Sequence, residues 1–382
     1  WHTLSLHDAL PIYSKKPATS RNWQIKASRN NRVIEEIPII RDYRYRLSDD
    51  LLGNDGSLIA FLDSFVRDQH GCPTLQPESI ILSSSSELFL FTAPEAKSFI
   101  HAVCRIFPKA SVRFSSLACL GFYAAVLDFL QSGDRNSLVL LLETPRFLQQ
   151  YCLNAINAER KDNNLNAQEG FAVAYLEKIP RDRLKPGMMI VNDCQIFGQP
   201  EKINGILECI QKGADCIMRF QSELHSKIVS FELPVQWSDQ MLKGFRQTLP
   251  DPYKPKHWLK GCETKSKHYM TLKPLLELSL YKDELKETGL ISLTLGAGGR
   301  LGLLQVSNHN DANPSISCWP QKGIKPRTCN FDSDLEKCRK VADCFSSPGN
   351  WPRIYEQIRQ NLYYFKTPAE RRDNLFYKWI LK

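Results

Sequence analysis

The sequence predicts an α/β fold built in layers, and three observations predict it. Short apolar segments with strand character alternate with segments of helical spacing over about residues 35–308. The alternation comes in two sets divided near Pro186, which predicts two halves. Composition agrees: 382 residues, 42% hydrophobic and 24% charged, suffice for a sizeable core.

In the first set, 51–68 reads as a helix with Leu58, Phe61, Leu62 and Phe65 on one face, ended by Gly71-Cys-Pro73. Residues 79–83 read as a strand, and 93–107 as a helix with Phe99, Ile100, Val103 and Ile106 apolar. Strand 112–116, helix 119–132, strand 137–143 and strand 170–176 follow. The second set predicts strand 188–191, helix 201–212, strands 216–220 and 228–233, helices 238–247 and 270–285, and strands 290–295 and 301–306. Residues 35–180 and 181–308 are thus the two halves.

The flanks differ in character. Residues 309–330 contain Asn308-His-Asn-Asp-Ala-Asn-Pro314 and Pro320-Gln-Lys-Gly-Ile-Lys-Pro326 and read as linker. Residues 331–382 read as a small, mostly helical segment. There Thr367-Pro-Ala-Glu370 forms a capping box ahead of a stripe of Leu375, Phe376, Trp379 and Ile380. Residues 14–34 are polar and basic, expected to be disordered or a truncated element. Residues 2–12 resemble a translated sequencing adapter, so 1–13 are set aside as an artefact. With no initiating Met, and with Lys382 falling in mid-helix, both true termini are expected to lie beyond this sequence.

The chemistry centres on Phe114-Ser-Ser-Leu-Ala-Cys119-Leu-Gly-Phe-Tyr-Ala-Ala-Val-Leu-Asp-Phe-Leu-Gln-Ser-Gly133. It places a cysteine where a strand stops and an apolar helix begins. Unpaired N–H groups and the positive end of the macrodipole there favour the nucleophilic thiolate form. On spacing alone, Cys119 reads also as a small buried apolar residue.

The stretch resembles the nucleophile turn of the thiolase-like β-ketoacyl synthases, where an Ala-Cys pair opens a buried helix. Asn136-Ser-Leu-Val-Leu-Leu-Leu-Glu143 is similar to that family's next strand, and Glu169-Gly-Phe-Ala-Val-Ala-Tyr-Leu-Glu177 to the strand closing its first half. Gly289-Leu-Ile-Ser-Leu-Thr-Leu-Gly-Ala-Gly-Gly-Arg-Leu-Gly-Leu-Leu-Gln305 resembles its closing strand, glycine loop and strand. The resemblance covers about 35–308 and implies an αβαβα fold of two related halves, without a cofactor. It implies Claisen condensation or acyl transfer on carrier-bound thioesters in fatty acid or polyketide-like synthesis. An acyl carrier protein with a phosphopantetheine arm is the implied partner, and a homodimer or a heterodimer with a ketosynthase paralogue the implied assembly.

In that scheme Cys119 takes the acyl group and His268 assists decarboxylation of a malonyl thioester. The oxyanion hole uses the Cys119 N–H and one from the Gly298-Gly299 loop; Gly296-Ala-Gly-Gly-Arg300 also reads as a plain hairpin turn. His268 lies at the right distance before the glycine loop, but Glu263 stands where the family carries Lys, and Lys265 is the substitute. A cation there is expected to lower the histidine pKa and keep the ring neutral. The family's His-Gly-Thr-Gly-Thr loop is absent, and His225 and His257 lack its context. An inactive partner of the chain-length-factor kind is therefore an alternative.

The tail carries a second resemblance. Phe331-Asp-Ser-Asp334-Leu-Glu336 and Phe376-Tyr-Lys-Trp379-Ile-Leu-Lys382 resemble surfactin-type phosphopantetheinyl transferases. This implies Asp334 and Glu336 as Mg²⁺ ligands and Lys382 on a coenzyme A phosphate. The other reading places both acids at the start of an amphipathic helix.

The net charge of +9 is spread along the chain and suits a solvated surface or an acidic carrier; no nucleic-acid motif accompanies it. The 12 cysteines are scattered without a CxxC pair, indicating a reduced, cytoplasmic setting and no zinc site. No apolar run reaches membrane-spanning length. A DNA transposase of ribonuclease-H-like fold is a further alternative: 186–220 loosely resembles a strand-helix-strand of that fold. Asn192-Asp193 would supply its Asp, but Asn374 stands where its Glu is required.

Overall fold

The structure, a computed structural model, describes residues 36–47, 55–67, 75–84, 94–115, 119–143, 166–197, 205–224, 226–231, 236–263, 267–296 and 300–308. The strands are β1 (Glu36–Leu47), β2 (Ser79–Ser83), β3 (Ser111–Phe114), β4 (Asn136–Glu143), β5 (Asn166–Ala167), β6 (Gly170–Pro180), β7 (Met189–Phe197), β8 (Lys227–Val229), β9 (Lys267–His268), β10 (Leu290–Gly296) and β11 (Arg300–Asn308). The helices are α1 (Asp55–Val66), α2 (Pro94–Ile106), α3 (Gly121–Gln131), α4 (Gly205–Leu224), α5 (Gln236–Thr248), α6 (Lys273–Leu280) and α7 (Glu284–Glu287).

Nine strands form one mixed sheet in the order β3-β2-β4-β6-β1-β7-β11-β10-β8, and β5 pairs with β9 separately. In the first half β2 runs parallel to both β3 and β4, while β4 and β6 are antiparallel. In the second half β7, β11 and β10 are antiparallel neighbours, and β8 is parallel to β10. β1 joins the halves: it pairs with β6 from Glu36 to Leu47, but with β7 only at Ile39 and Ile40.

Strand alternation divides the interior into layers, because successive side chains leave a strand on opposite faces. In the first half Leu82, Leu138, Leu140, Leu142, Phe171 and Val173 pack against α1 and α2 through Leu58, Leu62, Phe99 and Val103. In the second, Ile291, Leu293, Leu301 and Leu303 pack against α4 and α5 through Ile217, Phe220, Met241 and Phe245. The opposite faces share one cluster: Ile81, Val139, Ala172 and Ala174 from one half and Val191, Leu290, Leu304 and Val306 from the other, around α3 and α6. Helix, sheet, central helices, sheet and helix follow one another, the αβαβα layering expected. α3 is apolar almost all round, as a helix enclosed between two sheet faces must be.

Two sequence expectations are corrected, and one strand was unforeseen. Residues 216–220 continue α4 instead of forming a strand, because Cys209, Ala214, Ile217 and Phe220 fall at helical spacing and are all buried. Helix 270–285 is broken into a 3-10 turn, Met270–Leu272, followed by α6 and α7. β1 was not expected: Pro38 interrupts its apolar start and Arg41-Asp-Tyr-Arg-Tyr-Arg46 is largely exposed, so the sequence shows no period-2 stripe. The linker 309–330 and the segment 331–382, like residues 1–34, lie outside the described residues. Among the described residues no helix is long and apolar enough to cross a membrane.

Candidate active site

The carboxyl ends of parallel strands β2, β3 and β4 lie on one side of the sheet, where α/β folds present their ligand sites. Cys119 lies there, one residue before the N-cap Leu120 of α3, and is 7% exposed. The thiol therefore stands just outside the first turn, not on it. The cap residue makes no side-chain hydrogen bond to the free N–H groups of this helix end. Gly121 is required at the next position. A Cβ there would come within 2.3 Å of Ser83 Oγ and 2.5 Å of Thr271 Cγ2.

His268 comes from the other half. It ends β9, whose pairing with β5 and whose carbonyl, accepting the Gln168 N–H at 2.9 Å, fix the backbone. The ring is buried, with Nε2 3.1 Å from Cys119 Sγ. On its far side Nδ1 is hydrogen-bonded to Glu263 Oε1, and Glu263 is buried, with no hydrogen-bond partner on Oε2 among the described residues. Cys119, His268 and Glu263 thus form one continuous series, thiol to imidazole to carboxylate, of the residue types that can act as nucleophile, base and orienting acid. Met270 closes over it, Sδ lying 3.8 Å from Cys119 Sγ.

Burial alone would strip the proton from His268. The Glu263 carboxylate and Cys119 outweigh it and hold the imidazole well above its usual range. Burial likewise opposes the Glu263 charge, but the His268 charge and hydrogen bond, then Lys273, bring its carboxyl below its ordinary value. Lys265, the cation expected beside the ring, lies outside the described residues; the described neighbour Glu263 is an acid, which favours the imidazolium.

A second buried polar group lies behind. Lys273 Nζ is 2.8 Å from Glu277 Oε1, and neither side chain is exposed. Lys273 also donates to the Leu293 carbonyl, and Ser292 Oγ donates to Glu277 Oε2 at 2.5 Å. Tyr123 of α3 reaches Ser292 Oγ at 3.0 Å and Thr294 Oγ1 at 2.8 Å, which ties the nucleophile helix to β10. Cys262, beside Glu263, lies 4.0 Å from the Lys273 carbonyl.

Of the expected site residues, Cys119 and His268 meet. Lys265, Gly298, Gly299, Asp334, Glu336 and Lys382, and also His225, lie outside the described residues. β10 and β11 pair as far as Gly296 and Arg300, and residues 297–299 between them lie outside the described residues. His257 is exposed in the turn Pro255–His257. Among the described residues, no group of three or more His, Cys, Asp or Glu is placed to hold a metal. Glu263 was noted in the sequence only as standing where a Lys was expected; its spacing of five from His268 was the available signal of a pair.

The fold is thiolase-like. Of the solved structures it resembles, the ishigamide ketosynthase/chain length factor has a TM-score of 0.52 at 9% identity, covering 71% of this chain and 99% of that one. The acyltransferase ChlB3 gives 0.47 at 13% identity, over 73% and 99%. A 3-oxoacyl-(acyl carrier protein) synthase III from Pseudomonas aeruginosa gives 0.43 at 12%, over 72% and 100%. No protein-family model matches the chain, and no curated protein matches it. The likeness in fold to the ketosynthase/chain length factor does not favour the ribonuclease-H-like alternative.

Proposed function

We propose that this chain is an acyltransferase that takes an acyl group from a thioester onto Cys119 and passes it to a second nucleophile. The observation that carries the reading is the buried contact of Cys119 with His268, backed by Glu263. Cys119 sulfur attacks the thioester carbonyl, the carbon–sulfur bond of the donor breaks, and the protonated His268 gives its proton to the departing thiolate. His268 is then neutral, with Glu263 fixing the Nδ1–H tautomer and leaving Nε2 as base. It removes the proton of an incoming X–H acceptor, whose attack on the acyl-cysteine restores Cys119 and protonated His268.

A phosphopantetheine-bound acyl chain on an acyl carrier protein is the donor proposed. An inactive partner subunit would have no use for this assembled set of three residues. Decarboxylative condensation is the second reading, supported by the likeness to a ketosynthase/chain length factor. The two are separated by incubating the acylated protein with labelled malonyl-pantetheine or with hydroxyl and amine acceptors. Release of CO₂ coupled to loss of the acyl group supports condensation. Acyl loss to the X–H acceptors alone supports transfer, and no acyl loss to either contradicts both.

A further inference from the structure

The turn that carries His268 is held at a point the catalytic scheme does not use. Glu143 ends β4, is 1% exposed, and accepts two hydrogen bonds from Thr271 on Oε1: the backbone N–H at 3.2 Å and the hydroxyl. β4 is a rigid support, paired with β2 on one side and with β6 as far as Glu143 on the other. Thr271 lies three residues past His268, in the other half of the molecule. Between them Met270 has φ of 51°, the only non-glycine in the left-handed region among the described residues. Such a conformation persists only when its surroundings over-determine it. Here the turn is pinned at His268 by the Gln168 N–H and at Thr271 by Glu143. The Thr271 methyl also packs where a side chain on Gly121 would stand, beside the start of the nucleophile helix.

We infer that Glu143, acting through Thr271, is a positioning residue that keeps His268 in register with Cys119, an inference that rests on the acyl-transfer reading. Without the clasp the Met270 turn relaxes and the imidazole leaves the sulfur.

The test is the rate of Cys119 alkylation by iodoacetamide across pH, followed by peptide mass on the full chain. Thr271→Val keeps the shape but removes the hydroxyl; Thr271→Ser keeps the hydroxyl. Thr271→Val and Glu143→Ala are expected to slow alkylation about tenfold near neutrality, the size of one lost buried hydrogen bond, and to alter the pH profile. Thr271→Ser and Glu143→Gln, which keep donor and acceptor, should stay near the wild type. The inference is overturned if Thr271→Val matches the wild type in rate and profile, or if Thr271→Ser is as slow as Thr271→Val. Should Glu143→Ala fail to fold, the Thr271 pair decides. If His268→Ala leaves the wild-type profile unchanged, the acyl-transfer reading fails and the clasp with it. A His268-dependent profile that Thr271→Val leaves intact overturns the clasp alone.

Discussion

Glu263→Gln separates the chemistry of the site from its architecture. The substitution keeps size and a possible hydrogen bond to His268 Nδ1 but removes the charge that holds the imidazolium. A hydrogen bond to a charged group contributes about 1.5–3 kcal/mol, so loss of that assistance alone costs about ten- to a hundredfold in rate. The amide can also turn its NH₂ toward Nδ1 and fix the wrong tautomer, which in the analogous serine-protease substitution costs about 10⁴. Acyl transfer should therefore fall by about 10²–10⁴. Stability should fall as well, because the charge that His268 and Glu263 lend each other is lost, though less than for a stranded ion since the ring can release its proton. The assay is pre-steady-state acylation from an acyl-pantetheine thioester, beside urea denaturation of the same protein. Acylation within about threefold of the wild type, with unaltered stability, would refute the reasoning.

Other perturbations follow from the same contacts. Gly121→Ala drives a methyl into Ser83 and Thr271 and should lower stability by about 1–3 kcal/mol in urea denaturation. Gly133→Ala, with nothing among the described residues within 4 Å, is the control expected to show no such loss. Lys273→Met strands Glu277 and should cost about 3–5 kcal/mol, most of it recovered by adding Glu277→Gln, as a double-mutant cycle would show. pH acts on the His268–Glu263 pair in two directions. The raised His268 stabilises fully below its ordinary value of 6.5, and that stability is lost as pH rises through the folded value. The lowered Glu263 stabilises above its ordinary 4.5, and that is lost on acidification through its folded value. Between 4.5 and 6.5 both contributions are present, so wild type minus His268→Ala in unfolding free energy should be largest there. A flat difference across pH would contradict the assignment.

Much of this was legible in the sequence where local pattern and packing agree. β4 reads as Leu138-Val-Leu-Leu-Leu142 because it is buried on both faces. The Cys119 turn is legible because a strand, a small residue pair and an apolar helix adjoin. β1 was hidden because its partners, β6 and β7, are more than a hundred residues away and its outer half is exposed. Residues 216–220 were misread because a five-residue segment, apolar but for Arg219, is too short to show a period of its own. Glu263 was seen only as a departure from a family pattern. Its role appears when folding brings its carboxylate to Nδ1 of a histidine already committed to Cys119 through Nε2. Spacing could suggest the pair, but not the direction in which it moves the imidazole.

The central claim is that Cys119 carries the acyl group with His268 at its side. It is tested most directly by intact mass and peptide mapping after brief incubation with an acyl-pantetheine thioester. One acyl group, located on Cys119, absent in Cys119→Ala and strongly diminished in His268→Ala, is the predicted result. Acylation spread over other cysteines, or undiminished in His268→Ala, would contradict the claim.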